Sequence, residues 1–312
     1  KIGTLACVNL EGTHRYIREM AAETFAPDHL MSVGEVNINH EQDARNYSSA
    51  RSGEFNMAIP FVLPIVEIQT WSPEKMKRDL EKDYQALKED GWWARFFSNH
   101  DKPRQVSLYG DDRTFWEPSA KMLGALLHTL PGTPFIYQGE EIGMTNIYFE
   151  SINEYDDIDT RGNYQSFLEE GMDAIEAEKM AKLVSRDNAR SPMQWSNEKY
   201  AGFSENTPWL PVNPNYSFIN VEEQRKRSDS IYTFYRELIH LRKENPETLI
   251  AYTRSLEGVT WVILHNFSHD PCDVNLEECN LKGKVVMSNY GRTGTVEGLV
   301  FLKPYETLIL SL

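Results

Sequence analysis

Apolar residues along the first 135 positions recur in two alternating rhythms. Residues 13–24 carry a helical pattern, and Leu30–Val33 reads as a short strand running into Gly34-Glu35. A polar helical stretch around 40–50 precedes a second apolar run, Phe55–Val66. The next helix is the best marked. Ser72 stands at its N-cap, Pro73 at its first position and Gly91 beyond its end, with Met76, Leu80, Tyr84 and Leu87 on one face. Strand-like Trp92–Phe97 then leads into Ser98-Asn99-His100-Asp101. A helix near 117–130 precedes the apolar Pro134–Tyr137, which runs into Gln138-Gly139-Glu140-Glu141. Strands alternating with helices at this spacing predict a parallel α/β sheet.

The rhythm changes twice more. Residues 145–227 are polar and rich in Asn, Asp, Tyr and Trp, with one helical pattern at about 166–184. A long excursion of this kind after a strand is more often functional than idle. A helix at 229–245 presents Ile231, Phe234, Leu238 and Leu241 on one face and stops at Asn245-Pro246. From 249 onward the runs are short and alternating, such as Thr260–Asn266, Lys284–Asn289 and Leu299–Leu302, which predicts a small antiparallel β domain. The expected division is therefore residues 1–246 and 247–312.

Composition narrows the function. The 312 residues are 40% hydrophobic and 12% aromatic, enough for a large core, and carry a formal net charge of -15. Such a surface repels phosphate backbones and anionic lipid, so nucleic acid and membranes are not expected partners. No run approaches the ~18 apolar residues of a transmembrane helix. Cys7, Cys272 and Cys279 are scattered and odd in number, which favours a reducing, cytoplasmic setting over a disulfide framework or a zinc site. No metal or cofactor is expected.

Three strands end in carboxylates: Glu35, Asp101 and the pair Glu140/Glu141. In parallel barrels the C-terminal strand ends converge on one rim, where catalytic groups collect. Glycosidic bonds are cleaved between carboxyl groups, one giving a proton to the leaving oxygen and the other attacking or stabilising the sugar carbon. On chemistry alone Glu35 and Asp101 would form that pair. An acidic residue that merely caps its strand is the plain alternative for each.

The strings MSVGE (31–35), FSNHDKPR (97–104), GTPFIYQGEEIGMTN (132–146) and RDNARSPMQW (186–195) resemble successive blocks of the alpha-amylase family. Their wording is similar to bacterial oligo-1,6-glucosidases, dextran glucosidases and trehalose-6-phosphate hydrolases. The likeness continues through AGFS (201–204), PW (208–209) and VNPNY (212–216) into the β domain. It implies the C-terminal half of a TIM (β/α)8 barrel followed by a small antiparallel all-β domain. It also implies a retaining, exo-acting α-glucosidase working without cofactor on a small oligosaccharide or disaccharide. Glu35 takes the general acid/base role, which calls for a raised pKa. Asp101 becomes the third carboxylate, binding sugar hydroxyls at the transition state, and His100 bonds the same sugar. Arg186 closes the pocket over the terminal glucose, though Arg190, one helical turn on, could face it instead. Glu140 and Glu141 are read as structural, and Met193-Gln194-Trp195 as packing in the pocket wall.

Two departures qualify the resemblance. The family's D-x-x-x-N-H and G-x-R-x-D blocks, the latter bearing the nucleophile, occur nowhere in residues 1–312. The expectation is a piece of a longer protein, inactive alone, with an N-terminal barrel half as partner. At Phe55–Glu67 the sequence FNMAIPFVLPIVE lacks the histidine that relatives carry there. Within the same chemistry, trehalose-6-phosphate hydrolysis and sucrose isomerisation stay open. Isomerases often carry an arginine-rich insertion after NHD, and QVSLYGDD (105–112) has none. A non-catalytic scaffold like the transporter heavy chains is disfavoured by Glu35, His100 and Asp101 occurring together.

Overall fold

The computed structural model describes residues 9–36, 41–60, 71–87, 90–244, 253–256, 259–266, 269–277 and 281–312. The predicted boundary at 246, the Phe61–Glu67 part of the divergent stretch, Cys7 and Cys279 lie outside the described residues. The chain forms two compact units, one of residues 1–95 with 131–135, the other of 96–130 with 136–312.

In the first unit, helix α1 (Glu11–Met20) runs on through a wider turn at Ala21–Phe25. Strand β1 (Val33–Val36), helix α2 (Glu41–Ser48), strand β2 (Met57–Pro60), helix α3 (Pro73–Leu87) and strand β3 (Ala94–Arg95) follow. β1 pairs in parallel with β2, with Glu35 opposite Ile59. A parallel bridge joins Ala58 to Trp93, and β3 pairs in parallel with β4 (Thr133–Pro134). The α/β prediction is thus seen as four strand segments paired in sequence order. β1 starts three residues later than its apolar pattern suggests, so Glu35 lies within the strand rather than after it. α3 begins as predicted, with Ser72 Oγ accepting from the Lys75 amide at 3.2 Å.

Strand alternation fixes which way β1 points its side chains. Gly34 and Val36 are buried and Glu35 is exposed. Val36 joins Ala44, Tyr47, Ala58, Ala86 and Trp93 in the core of this unit, with Ile17 and Phe55 packed against them. The Phe55 ring lies so close over Gly34 that an added Cβ would overlap it. Short β3 holds a buried Arg95, whose Nη1 pairs with Asp83 of α3 at 2.5 Å and whose Nε donates to the Pro131 carbonyl at 2.9 Å. A cation inside an apolar-looking strand is tolerated here because its charge and donors are met.

The second unit contains α4 (Gln105–Tyr109), α5 (Trp116–Thr129), α6 (Ile158–Glu169), α7 (Ala174–Val184), α8 (Asp187–Arg190), α9 (Val221–Lys226) and α10 (Ile231–Glu244). The single helix predicted at 166–184 is two. Gly171 at φ +87° ends the first, and Asp173 caps the second by accepting from the Ile175 and Glu176 amides. α5 and α10 pack through Ala125, Phe234 and Leu238. Tyr235 lies over Gly124, and its hydroxyl accepts from Gln105 Nε2 at 2.9 Å.

The antiparallel sheet is built from β5 (Thr253–Leu256), β6 (Val259–His265), β8 (Lys282–Ser288), β9 (Thr295–Glu297) and β11 (Thr307–Ser311), in the order β5-β6-β11-β8-β9. β7 (Cys272–Asn275) and β10 (Leu299–Leu302) form a second pair. Central β11 buries Leu308 and Leu310 against Val262, Leu276, Val300 and Leu302, and buries Ile309 too. Among the described residues, no helix is long and apolar enough to cross a membrane.

Replacing Gly34 with Ala forces Phe55 to move. The substitution is expected to lower stability by about 1–3 kcal/mol, read from urea denaturation, and a Phe55→Leu background should recover part of the loss.

Candidate functional site

The second unit gathers three of the four predicted site residues. After Arg95 the chain runs through Ser98-Asn99-His100-Asp101, where the Asn99 side chain accepts from the Asp101 amide at 2.8 Å and fixes the turn. Arg190, at the end of α8, reaches this turn twice. Its Nη2 donates to Asp101 Oδ1 at 2.7 Å and its Nε donates to the His100 carbonyl at 3.0 Å. Arg186 comes within 3.9 Å of the same Oδ1 through Nη1. The second oxygen, Oδ2, lies 3.4 Å from His100 Nε2. The exposed His100 and half-buried Asp101 therefore present a fixed carboxylate and an imidazole side by side, with two arginines against the carboxylate.

Arg186 is held mainly elsewhere. Its Nε donates to Asp157 Oδ1 at 2.9 Å, and its Nη2 lies 3.0 Å from Asp159 Oδ2. Asp157 caps α6, accepting also from Thr160 Oγ1 at 2.9 Å. Burial alone would raise the Asp157 carboxyl, but the hydrogen bonds from Arg186 and Thr160 outweigh it and hold it below its ordinary value. Asp187 completes the arrangement, its Oδ2 accepting from the amides of Asp156 at 2.7 Å and Asp157 at 3.0 Å. Arg186 and Arg190, between which the sequence leaves the choice open, have different partners. Arg190 grips Asp101, whereas Arg186 bridges Asp157 and Asp159 and flanks Asp101.

A second layer sets the loops that carry these groups. The buried Arg104 donates from Nη1 to the Gln138 carbonyl at 2.5 Å, from Nε to Asn188 at 3.1 Å and from Nη2 to Ala189 at 3.0 Å. Its guanidinium also stacks over Tyr137, whose hydroxyl donates to the Ala189 carbonyl at 3.1 Å. Fully buried Asn146 accepts from the Arg104 amide at 2.9 Å and receives Asn213 Nδ2 on its own carbonyl at 3.0 Å. Glu141 accepts from the Gly139 amide at 2.7 Å, and Glu140 from Ser98 Oγ, so both tie loops together. Burial pushes the Glu140 carboxyl up to about 8, aided by the neighbouring Glu141 and opposed by Ser98 and Arg104. Glu140 Oε2 is buried without a hydrogen-bond partner.

Of the predicted wall segment, Met193 packs with Ile142, Met144 and Ile219, and Gln194 is fully buried. Trp195, in contrast, is half exposed at 50%. Glu35 belongs to the first unit, exposed on β1. Reading the sequence missed Arg190's direct grip on Asp101, and Asp157 altogether. The available signal for Asp157 was Asp157-x-x-Thr160 ahead of a helix, an N-cap pattern that announces a helix start but not an arginine partner.

Residues 4–251 match the alpha amylase catalytic domain. The chain is 36% identical over 331 residues to the oligo-1,6-glucosidase of Bacillus cereus, covering 98% of this chain and 59% of that protein. Its fold matches a trehalose-6-phosphate hydrolase of Bacillus licheniformis with a TM-score of 0.85 at 34% identity, over 96% of this chain and 59% of that one. It matches the trehalulose synthase of Pseudomonas mesoacidophila with a TM-score of 0.85 at 32% identity, over 97% and 59%. The chain spans 59% of the length of each.

The raised Glu140 carboxyl predicts a pH-dependent stability. With a folded pKa near 8 against an ordinary 4.5, its contribution is full below about pH 4.5 and is lost as pH rises through 8. Glu140→Gln, which mimics the protonated acid, is expected to flatten that decline between pH 5 and 8 in urea titrations. An unchanged slope would show that Glu140 titrates normally.

Proposed function

Because the chain belongs to the alpha-amylase family, we propose that it supplies the acid/base and transition-state-stabilising half of a retaining, exo-acting α-glucosidase site for short α-glucosides. The observation that carries this reading is the Asp101–His100 pair held by Arg190 and flanked by Arg186. A carboxylate fixed by neighbouring cations is a rigid acceptor for sugar hydroxyls, and it opposes the positive charge that grows on the anomeric carbon. His100 adds a donor beside it, which suits a neutral polyol better than a charged ligand.

In this reading Glu35 gives its proton to the departing oxygen and then activates water. The attacking aspartate comes from a G-x-R-x-D block outside residues 1–312, on an N-terminal barrel half that joins β1 to β4 in one (β/α)8 fold. Retention follows from a covalent glycosyl-enzyme with acid and nucleophile about 5–5.5 Å apart. The similarity to a trehalose-6-phosphate hydrolase and a trehalulose synthase makes trehalose 6-phosphate and sucrose the alternative substrates.

The test is hydrolysis of p-nitrophenyl α-glucoside by the chain alone and mixed with a barrel half carrying the G-x-R-x-D block. Activity is expected only in the mixture, and turnover by the chain alone would contradict the division of roles. In the active mixture, Glu35→Gln should lower turnover of isomaltose by about 10²–10⁴-fold. Azide or a good leaving group should restore much of it, and near-normal hydrolysis by that variant would remove Glu35 from the acid role.

A further inference from the structure

Trp209 is 72% exposed, an unusual position for the largest side chain. Its exposure does not come from a loose loop. The next residue, Leu210, is buried, and buried Asn213 donates from Nδ2 to the Asn146 carbonyl at 3.0 Å and to Thr145 Oγ1 at 3.2 Å. Asn215 Nδ2 donates to the same Thr145 Oγ1 at 2.8 Å. The indole itself is anchored, Nε1 donating to Asp156 Oδ2 at 2.9 Å. With its one polar atom satisfied, what remains free is a flat aromatic face in a fixed orientation.

That anchor joins Trp209 to the site. The Asp156 and Asp157 amides share Asp187 Oδ2, the Asp157 carboxylate holds Arg186, and Arg186 flanks Asp101. The exposed carboxylate of Asp159 stands 3.0 Å from the same arginine. An exposed ring face with the Asp156 carboxylate at its edge is the chemistry that takes a pyranose. The C–H face of the sugar lies on the negative face of the ring, and a hydroxyl at its rim donates to that acid.

We propose that Trp209 is a sugar-binding platform, stacking on a neutral hexopyranose unit of the oligosaccharide beyond the terminal glucose held near Asp101. The proposal rests on the α-glucoside reading above and adds to it a recognition of chain length.

The test is calorimetric titration with glucose and with isomaltotriose of the full chain mixed with the barrel half that carries the G-x-R-x-D block, with Glu35→Gln in the chain to suppress turnover. Trp209→Ala is expected to weaken isomaltotriose binding about tenfold, the size set by losing about 50 Å² of apolar contact, and to leave glucose within about twofold. Trp209→Phe, which keeps a ring face, should stay within about threefold for both ligands. Asp101→Asn should weaken both. If Trp209→Ala weakens both ligands equally or neither, while Asp101→Asn weakens both, the platform is wrong and the glucose pocket stands. If Asp101→Asn leaves glucose binding unaltered, the pocket reading fails instead. Absence of saturable isomaltotriose binding to the mixture with Trp209 intact, while glucose binds, overturns the platform.

Discussion

A buried guanidinium that bonds no carboxylate among the described residues organises the second unit. Arg104 spends its charge on three main-chain carbonyls, those of Gln138, Asn188 and Ala189, from two segments far apart in sequence. Each carbonyl is the negative end of a peptide dipole, and two belong to the short helix α8. Burial pushes the guanidinium pKa down, opposed by Tyr137, Glu140 and Glu141, yet an arginine stays charged at any working pH. Lysine could not replace it, because a point charge on a single stem cannot reach three diverging acceptors in fixed directions.

The functional groups depend on that fastening. Asp101 lies three residues before Arg104, and Arg190 directly follows the last carbonyl that Arg104 binds. Fixing one therefore fixes the span over which Arg190 and Asp101 meet. Gly139 belongs to the same constraint: at φ +95° an added Cβ would crowd Arg104 Nη1 at 2.9 Å and Met144 Sδ at 2.5 Å. Asn146 extends the network toward the 208–216 segment, so Trp209 and Asp101 rest on one set of buried polar contacts. Such networks are costly when partly satisfied and rigid when complete.

Much of this was legible in the sequence because period and punctuation are local. Ser72-Pro73 marked the start of α3, and the alternating runs after 249 marked an antiparallel sheet. Gly171 and Asp173 were legible too, since a glycine followed by an Asp N-cap splits a helix, but the apolar pattern ran through them. Arg95 hid inside an apolar run because its partner Asp83 is supplied by the preceding helix. The same reason hid the grip of Arg190 on Asp101, residues 89 apart in sequence and joined only by the fold. Motif resemblance named His100, Asp101 and Arg186, whereas the residues that hold them, Arg104, Asn146 and Asp157, carry no chemistry a motif would advertise.

The central claim is that Arg104 holds the site-bearing loops in place, and hydrogen–deuterium exchange on Arg104→Lys tests it most directly. Peptides covering 97–104, 138–146 and 186–191 should exchange at least about tenfold faster than in the unmodified chain, as expected for losing about 1.4 kcal/mol or more of local stability. Peptides of the antiparallel sheet, 259–266 and 307–312, should be unchanged. Equal protection of the three loop segments in both proteins would contradict the account.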